Sequence, residues 1–366
     1  MRYTSTVADL PSTVPFVGPE AQERARGKPF RARIGANESV FGPSPKAVAA
    51  MAHAAADCWM YCDPENHDVK TALAAHLGVK PENIAVGEGI DSLFGYTVRL
   101  CVEPGGGDVV VTSQGAYPTF NFHVAGYGGR LVTVPYVDDR EDPESLLAAV
   151  RRDRPKLVYF ANPDNPMGSW WPAADMQNFI DQLPEGTILV LDEAYAEFAP
   201  SGTMPPIDVS DPRVLRYRTF SKAYGMAGAR IAYVIGESSL IRSFDKIRNH
   251  FSVNRIAQAG ALAALADQQH LQQVIADVAA ARVRIGAIAR EHNLMPLPSA
   301  TNFVTIDCGR DGGYARSILD GLIARDVFVR MPGVAPLSRC IRVSAGKASD
   351  LDIFASELAA VLKARA

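Results

Sequence analysis

From residue 80 onward the chain settles into a rhythm of short apolar runs separated by amphipathic stretches. Ile84 to Val86, Asp108 to Thr112, Arg130 to Val134, Lys156 to Phe160, Thr187 to Leu191, Arg213 to Phe220 and Arg230 to Ile235 each read as a strand. Helical patterns lie between most of them. Such alternation needs crossover connections and predicts an α/β fold with a seven-stranded, mostly parallel sheet covered on both faces. In sheets of this kind ligands bind beyond the carboxyl ends of the strands. The polar clusters of chemical interest in this chain all fall at such ends.

The flanking segments differ. Residues 1 to about 30 are proline-punctuated and mixed in polarity, and read as an extended arm. Ser44 and Pro45 give an N-cap and first-turn signal for an Ala-rich helix. Tyr61-Cys62-Asp63-Pro64 is a turn, and Asp68 to Leu77 is an amphipathic helix closed by Gly78. After Ile235 the pattern is mainly helical, with two helices expected over 253–291. A strand (Asn302 to Ile306), a helix (Tyr314 to Ala324), two short strands (Val327 to Arg330, Cys340 to Ser344) and a terminal helix from about Asp350 complete a smaller α+β domain. The expected division is 1–40 as an N-terminal arm and part of the small domain, 41–265 as the large domain, and 266–366 as the small C-terminal domain.

Composition narrows the class. With 366 residues, 48% of them hydrophobic and 21% charged, the chain can bury a large core. A formal charge of −3 favours neither nucleic acid nor an anionic membrane as partner. No apolar run is long enough to span a bilayer, and Met1-Arg2-Tyr3-Thr4 onward lacks the order of a signal peptide. Five scattered cysteines (Cys58, Cys62, Cys101, Cys308, Cys340) read as reduced thiols of a cytoplasmic protein. Cys58 and Cys62 have no second Cys or His pair at matching spacing, which argues against zinc.

The strand-end clusters carry the candidate chemistry. Gly87-Glu88-Gly89-Ile90-Asp91, between a strand and a helix, offers backbone amides to an anion. Tyr117 can lie over a flat ring. In Asn162-Pro163-Asp164-Asn165-Pro166-Met167-Gly168, the turn can fix the Asn165 amide facing a cleft. The apolar run Leu189-Val190-Leu191 ends in Asp192, a carboxylate that needs a cationic partner. Tyr195 follows. Lys222, preceded by Ser221 and followed eight residues on by Arg230, stands in a small-residue loop. Singly, each has a plainer reading: a solvated lysine, conformational glycines, a core tyrosine, a turn. In this order they meet the needs of pyridoxal 5'-phosphate. Its aldehyde needs a lysine, its ring nitrogen an anion, its phenolate oxygen donors, and its phosphate amides, a hydroxyl and a guanidinium.

On these residues the chain resembles the fold-type-I, aspartate aminotransferase-like pyridoxal-phosphate enzymes, and among them is most similar to the histidinol-phosphate aminotransferases. The likeness covers nearly the whole chain and also includes Ala36-Asn37-Glu38, Gly42-Pro43-Ser44-Pro45, Gly228-Ala229-Arg230 and Arg342-Val343-Ser344-Ala345-Gly346. It implies that Lys222 is the Schiff-base lysine and proton shuttle, that Asp192 pairs with the ring nitrogen, and that Asn165 and Tyr195 bond the ring oxygen under a stacked Tyr117. It further implies a phosphate held by Ser221, Arg230 and the amides of Glu88, Gly89 and Ile90, with Tyr61 reaching across from the second subunit of a homodimer. Arg342 and Arg330 match substrate-binding positions, as does Asn37, and the N-terminal arm would close over the substrate. The implied activity is amino transfer between histidinol phosphate or L-glutamate and a 2-oxo acid such as 2-oxoglutarate. The chain departs from the family's usual cradle at Glu88, where a negative charge stands near the phosphate, and has Met167 and Cys62 at other motif positions. Transamination of aromatic or other amino acids, another pyridoxal-phosphate reaction such as decarboxylation, and a binding protein without turnover remain alternatives at this stage.

Overall fold

The computed structural model describes residues 3–8, 10–12 and 17–365. The remaining positions of the expected arm (1, 2, 9 and 13–16) lie outside the described residues. The arm is not simply extended: it forms α1 (Ser5–Ala8) and α2 (Pro19–Arg26). The signals for α2 are local. Pro19 opens it, Glu20 sits in its first turn, Arg24 and Arg26 in its last, and Gly27 closes it at φ 71°.

The chain continues through β1 (Ala32–Arg33), α3 (Pro45–Ala54), α4 (His67–Leu77), β2 (Ile84–Gly87), α5 (Ile90–Cys101), β3 (Val109–Ser113), α6 (Pro118–Tyr127) and β4 (Arg130–Val134). Then come α7 (Pro143–Asp153), β5 (Leu157–Ala161), α8 (Ala173–Asp181), β6 (Ile188–Asp192), β7 (Val214–Thr219) and β8 (Ala232–Ile235). These strands form one seven-stranded sheet in the order β2-β8-β7-β6-β5-β3-β4. Strand β8 is antiparallel to both neighbours, and the other pairings are parallel. The seven strands read from the hydrophobic pattern are therefore the seven observed.

Both faces of this sheet are buried, which is why its central strands are apolar throughout. Val158 and Phe160 of β5, with Leu189 and Leu191 of β6, face a cluster completed by Leu146, Val150 and Phe179. Tyr159, Ala161 and Val190 face the larger cluster on the other side. Asp192, two residues beyond Val190, falls on this second side by the period of two. The polar end of an otherwise dry strand is thus aimed at one face of the sheet.

Beyond α9 (Ser238–Ser243) run α10 (Arg255–Ala266) and α11 (Gln268–Glu291), the two helices expected there. A three-stranded antiparallel sheet, in the order β12-β10-β9, is built from β9 (Met295–Pro296), β10 (Phe303–Asp307) and β12 (Cys340–Ser344). Helix α12 (Gly312–Ala324), β11 (Val327–Phe328) and α13 (Ala348–Lys363) accompany it. β1 pairs in parallel with β11, so the chain's first strand is fixed to its last hundred residues. Among the described residues no helix is long and apolar enough to cross a membrane, and the five cysteines are free thiols.

Two loops meet where the site forms. Gly225 has φ 69°, and a Cβ there would overlap the backbone of Gly42. Replacing Gly225 by Ala is expected to destabilise the protein by about 2–4 kcal/mol, through backbone strain and displacement of the Gly42 loop. Urea unfolding measures this, and an unchanged midpoint would contradict the packing described.

Candidate active site

Five strand ends assemble the site along one edge of the large sheet. Gly87 of β2 and Thr219 of β7 both stand beside Ala232, in which the reversed strand β8 begins. Ala161 of β5 pairs with Asp192 of β6. Just beyond this edge lie Lys222 and two adjoining cavities that share Ala36, Tyr117, Asn165, Tyr195 and Lys222.

The deeper cavity, about 250 Å3, is also lined by Ile90, Asp91, Asp192, Thr219, Ser221 and Arg230. One end of it is built for an anion. Helix α5 starts at Ile90, and Gly89 before it has φ 103°. A Cβ at Gly89 would overlap the Arg230 guanidinium, so the backbone and the arginine approach as closely as glycine permits. At the other end Asp192 accepts hydrogen bonds from the Tyr159 hydroxyl (2.8 Å) and the Ala194 amide (3.0 Å). Burial nonetheless pushes its pKa up to about 6, against those bonds and the nearby Lys222. A buried carboxylate of this kind is stabilised by a cation, and a protonated ring nitrogen is one. Anion cradle, lysine and carboxylate, in one cavity with an aromatic wall at Tyr117, fit pyridoxal phosphate.

Lys222 donates to the carbonyl of Asn37 at 3.1 Å. Burial pushes its pKa down to about 8, helped by Arg342 and opposed by Glu38 and Asp192. Tyr195 accepts a hydrogen bond from the Asn37 amide at 3.0 Å, and burial holds its hydroxyl in the protonated form.

The outer cavity, about 500 Å3, adds Asn37, Arg330, Arg342, Pro118 and the segment 331–334. Arg330 and Arg342 sit directly opposite each other in an antiparallel bridge. Arg330 also donates to the carbonyl of Val17, in the arm, at 2.8 Å. Arg342 donates to Asn165 and lies over the Phe303 ring at 5.1 Å. Its Nε is buried without a hydrogen-bond partner, and it makes no ion pair among the described residues. Burial lowers its pKa to about 10, with Arg330 contributing. Two guanidiniums that line one cavity, close enough for Arg330 to help lower the pKa of Arg342, suit an anion there.

The structure thus brings together Lys222, Asp192, Tyr195, Asn165, Tyr117, Ser221, Arg230, Gly89, Ile90, Asn37, Arg330 and Arg342. Glu88 is different. Its carboxylate accepts the Tyr96 hydroxyl at 2.7 Å and is not part of the cavity wall, so the feared charge beside the phosphate is turned aside. Asp91 takes the wall position instead; burial raises its pKa, but the bond with His123 at 3.1 Å helps hold it below the usual value. Tyr61 lies outside both cavities, 79% exposed and packed on Phe251 at 4.6 Å between ring centroids. Sequence reasoning missed Tyr159, Ser344 and Asn302. Tyr159 lies two residues before Ala161 and so on the Asp192 face, but the strand register that joins them is not readable from either strand alone.

The chain matches the family model of aminotransferases of class I and II over residues 33–358. It is 34% identical over 338 residues to histidinol-phosphate aminotransferase 1 of Mesorhizobium japonicum, covering 90% of each chain. It is 35% identical to the histidinol-phosphate aminotransferase of an Anaeromyxobacter strain, covering 88% of this chain and 89% of that one. The crystal structure of histidinol-phosphate aminotransferase from Sinorhizobium meliloti in complex with pyridoxal-5'-phosphate superposes with a TM-score of 0.97 at 58% identity, covering 100% of this chain and 98% of that one.

The lowered pKa of Lys222 gives a pH test that needs no cofactor. An unfolded lysine keeps its proton to about 10.5. The folded cofactor-free protein therefore binds fewer protons between pH 8 and 10.5, and this group's contribution to stability rises with pH across that window. Competitive acetylation read by mass spectrometry is expected to show Lys222 half-reactive near pH 8, well below exposed lysines. A midpoint near 10.5 would contradict the burial of its amine.

Proposed function

We propose that this chain, which belongs to the class I and II aminotransferases, transfers the amino group of histidinol phosphate to 2-oxoglutarate or a similar 2-oxo acid, giving with 2-oxoglutarate L-glutamate and the keto form of the donor, and runs in reverse with L-glutamate as donor. It is a pyridoxal-phosphate-dependent enzyme. The observation that carries the substrate reading is the pair Arg330 and Arg342, bridged backbone to backbone at the outer cavity, the latter with a buried, unsatisfied N–H and, among the described residues, no ion pair. Two guanidiniums suit a dianionic phosphate better than one carboxylate needs. The names of the relatives support the same choice.

Pyridoxal phosphate, when bound, supplies an electron sink at the carbon carrying the amino group. The protein's residues do the rest. Asp192 holds the positive charge of the ring nitrogen, its own position fixed by Tyr159. Tyr195 and Asn165 serve the ring oxygen, and Tyr117 covers the ring. Ser221, Arg230 and the amides of Glu88 and Ile90 would grip the phosphate; the Gly89 N–H, expected to join them, is instead donated to the Gly87 carbonyl at 2.8 Å. Lys222 would hold the cofactor covalently through its amine, and as a free amine would act as the general base. An amine with a pKa near 8 is unprotonated often enough at neutral pH to take a proton, and its ammonium form is acidic enough to return it. Asn37 lines the substrate cavity, and the Val17 carbonyl of the arm accepts a hydrogen bond from Arg330 of its wall.

The exposed Tyr61, on its Phe251 support, suits a tyrosine that reaches the phosphate of a second subunit, so the working form is a homodimer with shared sites. Cytoplasm is the compartment that fits free thiols and a soluble metabolite substrate. The proposed division of the chain is an N-terminal arm with part of the small domain (1–40), the large cofactor-binding domain (41–265) and the small C-terminal domain (266–366).

Mixing holoenzyme with amino donors tests the substrate. Histidinol phosphate is expected to bleach the visible band of the lysine-bound cofactor, and Lys222→Ala to abolish both band and turnover. Bleaching by phenylalanine or tyrosine alone would move the substrate to the aromatic amino acids. Arg330→Gln is expected to raise KM for histidinol phosphate about 10- to 100-fold, the loss of a charge-assisted bond, with a smaller change for 2-oxoglutarate. Equal changes for both would remove Arg330 from phosphate recognition.

A further inference from the structure

Tyr195 can serve the ring oxygen only as a donor, and a hydroxyl can equally well spend its hydrogen elsewhere. The buried network around Asn37 decides this. Asn37 has φ 55°, and its backbone is pinned on two sides. Its carbonyl accepts from Asn302 Nδ2 at 3.0 Å as well as from Lys222, and its N–H donates to Ser344 Oγ at 3.0 Å. Ser344 has one hydrogen. With a lone pair taken by the Asn37 N–H, it turns that hydrogen to Asn37 Oδ1 at 2.9 Å. Once Oδ1 faces Ser344, the amide must present its NH2 to Tyr195, and it does so at 3.0 Å. Tyr195 Oη is then an acceptor toward Asn37, and its own hydrogen is left for the cavity.

We propose that Ser344 is a positioning residue that sets the orientation of the Asn37 amide and thereby leaves the Tyr195 hydroxyl as a hydrogen-bond donor into the cofactor cavity. Ser344 touches neither cavity. It lies at the end of β12, in the small sheet, with its own N–H on the carbonyl of Ile34 at 2.8 Å. Ser344, Asn37 and Tyr195 are each at most 4% exposed, so no bulk water competes for these hydrogens. The polarity of the chain is fixed at the serine and read out at the tyrosine, across three segments far apart in sequence. The charged and titratable groups facing Tyr195 are Arg342, Lys222, Asp192 and Tyr117. None of them is hydrogen-bonded to the Ser344 side chain among the described residues.

This inference rests on the pyridoxal-phosphate reading, and the visible band of the reconstituted protein checks that reading separately. A hydrogen-bond donor to the ring oxygen stabilises the form with the fuller negative charge there, the unprotonated one, and lowers the midpoint of the band's pH titration. Tyr195→Phe is expected to raise that midpoint. Ser344→Ala is expected to raise it in the same direction by about half to one pH unit, the size of one neutral hydrogen bond. In the Tyr195→Phe background, Ser344→Ala is expected to add nothing, because its effect runs through the missing hydroxyl. Ser344→Thr and Ser344→Val have the same shape and differ in the hydroxyl. Should Ser344→Ala fail to fold, the Thr variant is expected to titrate like the parent and the Val variant like Ser344→Ala. An unmoved midpoint in Ser344→Ala or Ser344→Val, or an equal shift with and without the Tyr195 hydroxyl, would overturn the proposal. A band absent from the parent protein would instead overturn the cofactor reading.

Discussion

The active site depends on keeping the amine of Lys222 out of bulk water while giving it a neutral acceptor. Among the described residues no carboxylate pairs with it directly; it rests on the carbonyl of Asn37. A direct ion pair would hold the lysine charged and spoil it as a nucleophile, whereas a carbonyl steadies it without fixing its proton. Much of the surrounding structure follows from this arrangement. Asn37 must adopt a left-handed backbone to present that carbonyl, and Asn302 and Ser344 must come from the small sheet to hold it there. The segment after Asn37 is in turn pressed against the lysine loop through Gly42 and Gly225.

Behind the lysine the sheet edge carries a concentration of buried charge that is handled in two ways. Glu193 is bound on both oxygens, by Arg216 (2.6 Å) and Arg218 (2.8 Å), and stays ionised despite burial. Asp192, the next residue back, has no such ion pair among the described residues, and burial leaves its pKa raised to about 6 despite its hydroxyl and amide donors and the nearby Lys222. Asp164, near Arg342 but bonded to Tyr136 and the Met167 amide, is raised to about 7. Adjacent carboxylates on one strand end therefore have opposite fates. One closes a structural ion cluster, and the other is left wanting the cation that a ligand brings.

How much of this was legible in the sequence varied with the range of the interaction. The seven strands, the capping of α3 by Ser44, the paired helices α10 and α11 and the position of Asp192 at a strand end are set by local periodicity, and they were readable. Helix α2 carried readable signals as well, in Pro19, Glu20 and Gly27, though the proline-punctuated composition of the arm masked them. The direction of Glu88 was not legible, because it depends on Tyr96 one helical stretch away. Nor was the Tyr159 to Asp192 bond, which follows from the register of two parallel strands joined by a helix.

By itself the sequence determined that a lysine, a carboxylate and an anion cradle would meet beyond one edge of a mostly parallel sheet, while the two arginines were placed at the site only by resemblance to the family. Strand ends in such a sheet converge whatever the loops do, and the residue types name the chemistry. Only the tertiary structure decided that Arg330 and Arg342 line one cavity, that Glu88 turns away, and which direction the hydrogens run through Ser344, Asn37 and Tyr195. Those outcomes rest on contacts between segments up to three hundred residues apart. Donor and acceptor roles in a buried network are assigned by its last partner, which no stretch of sequence contains alone.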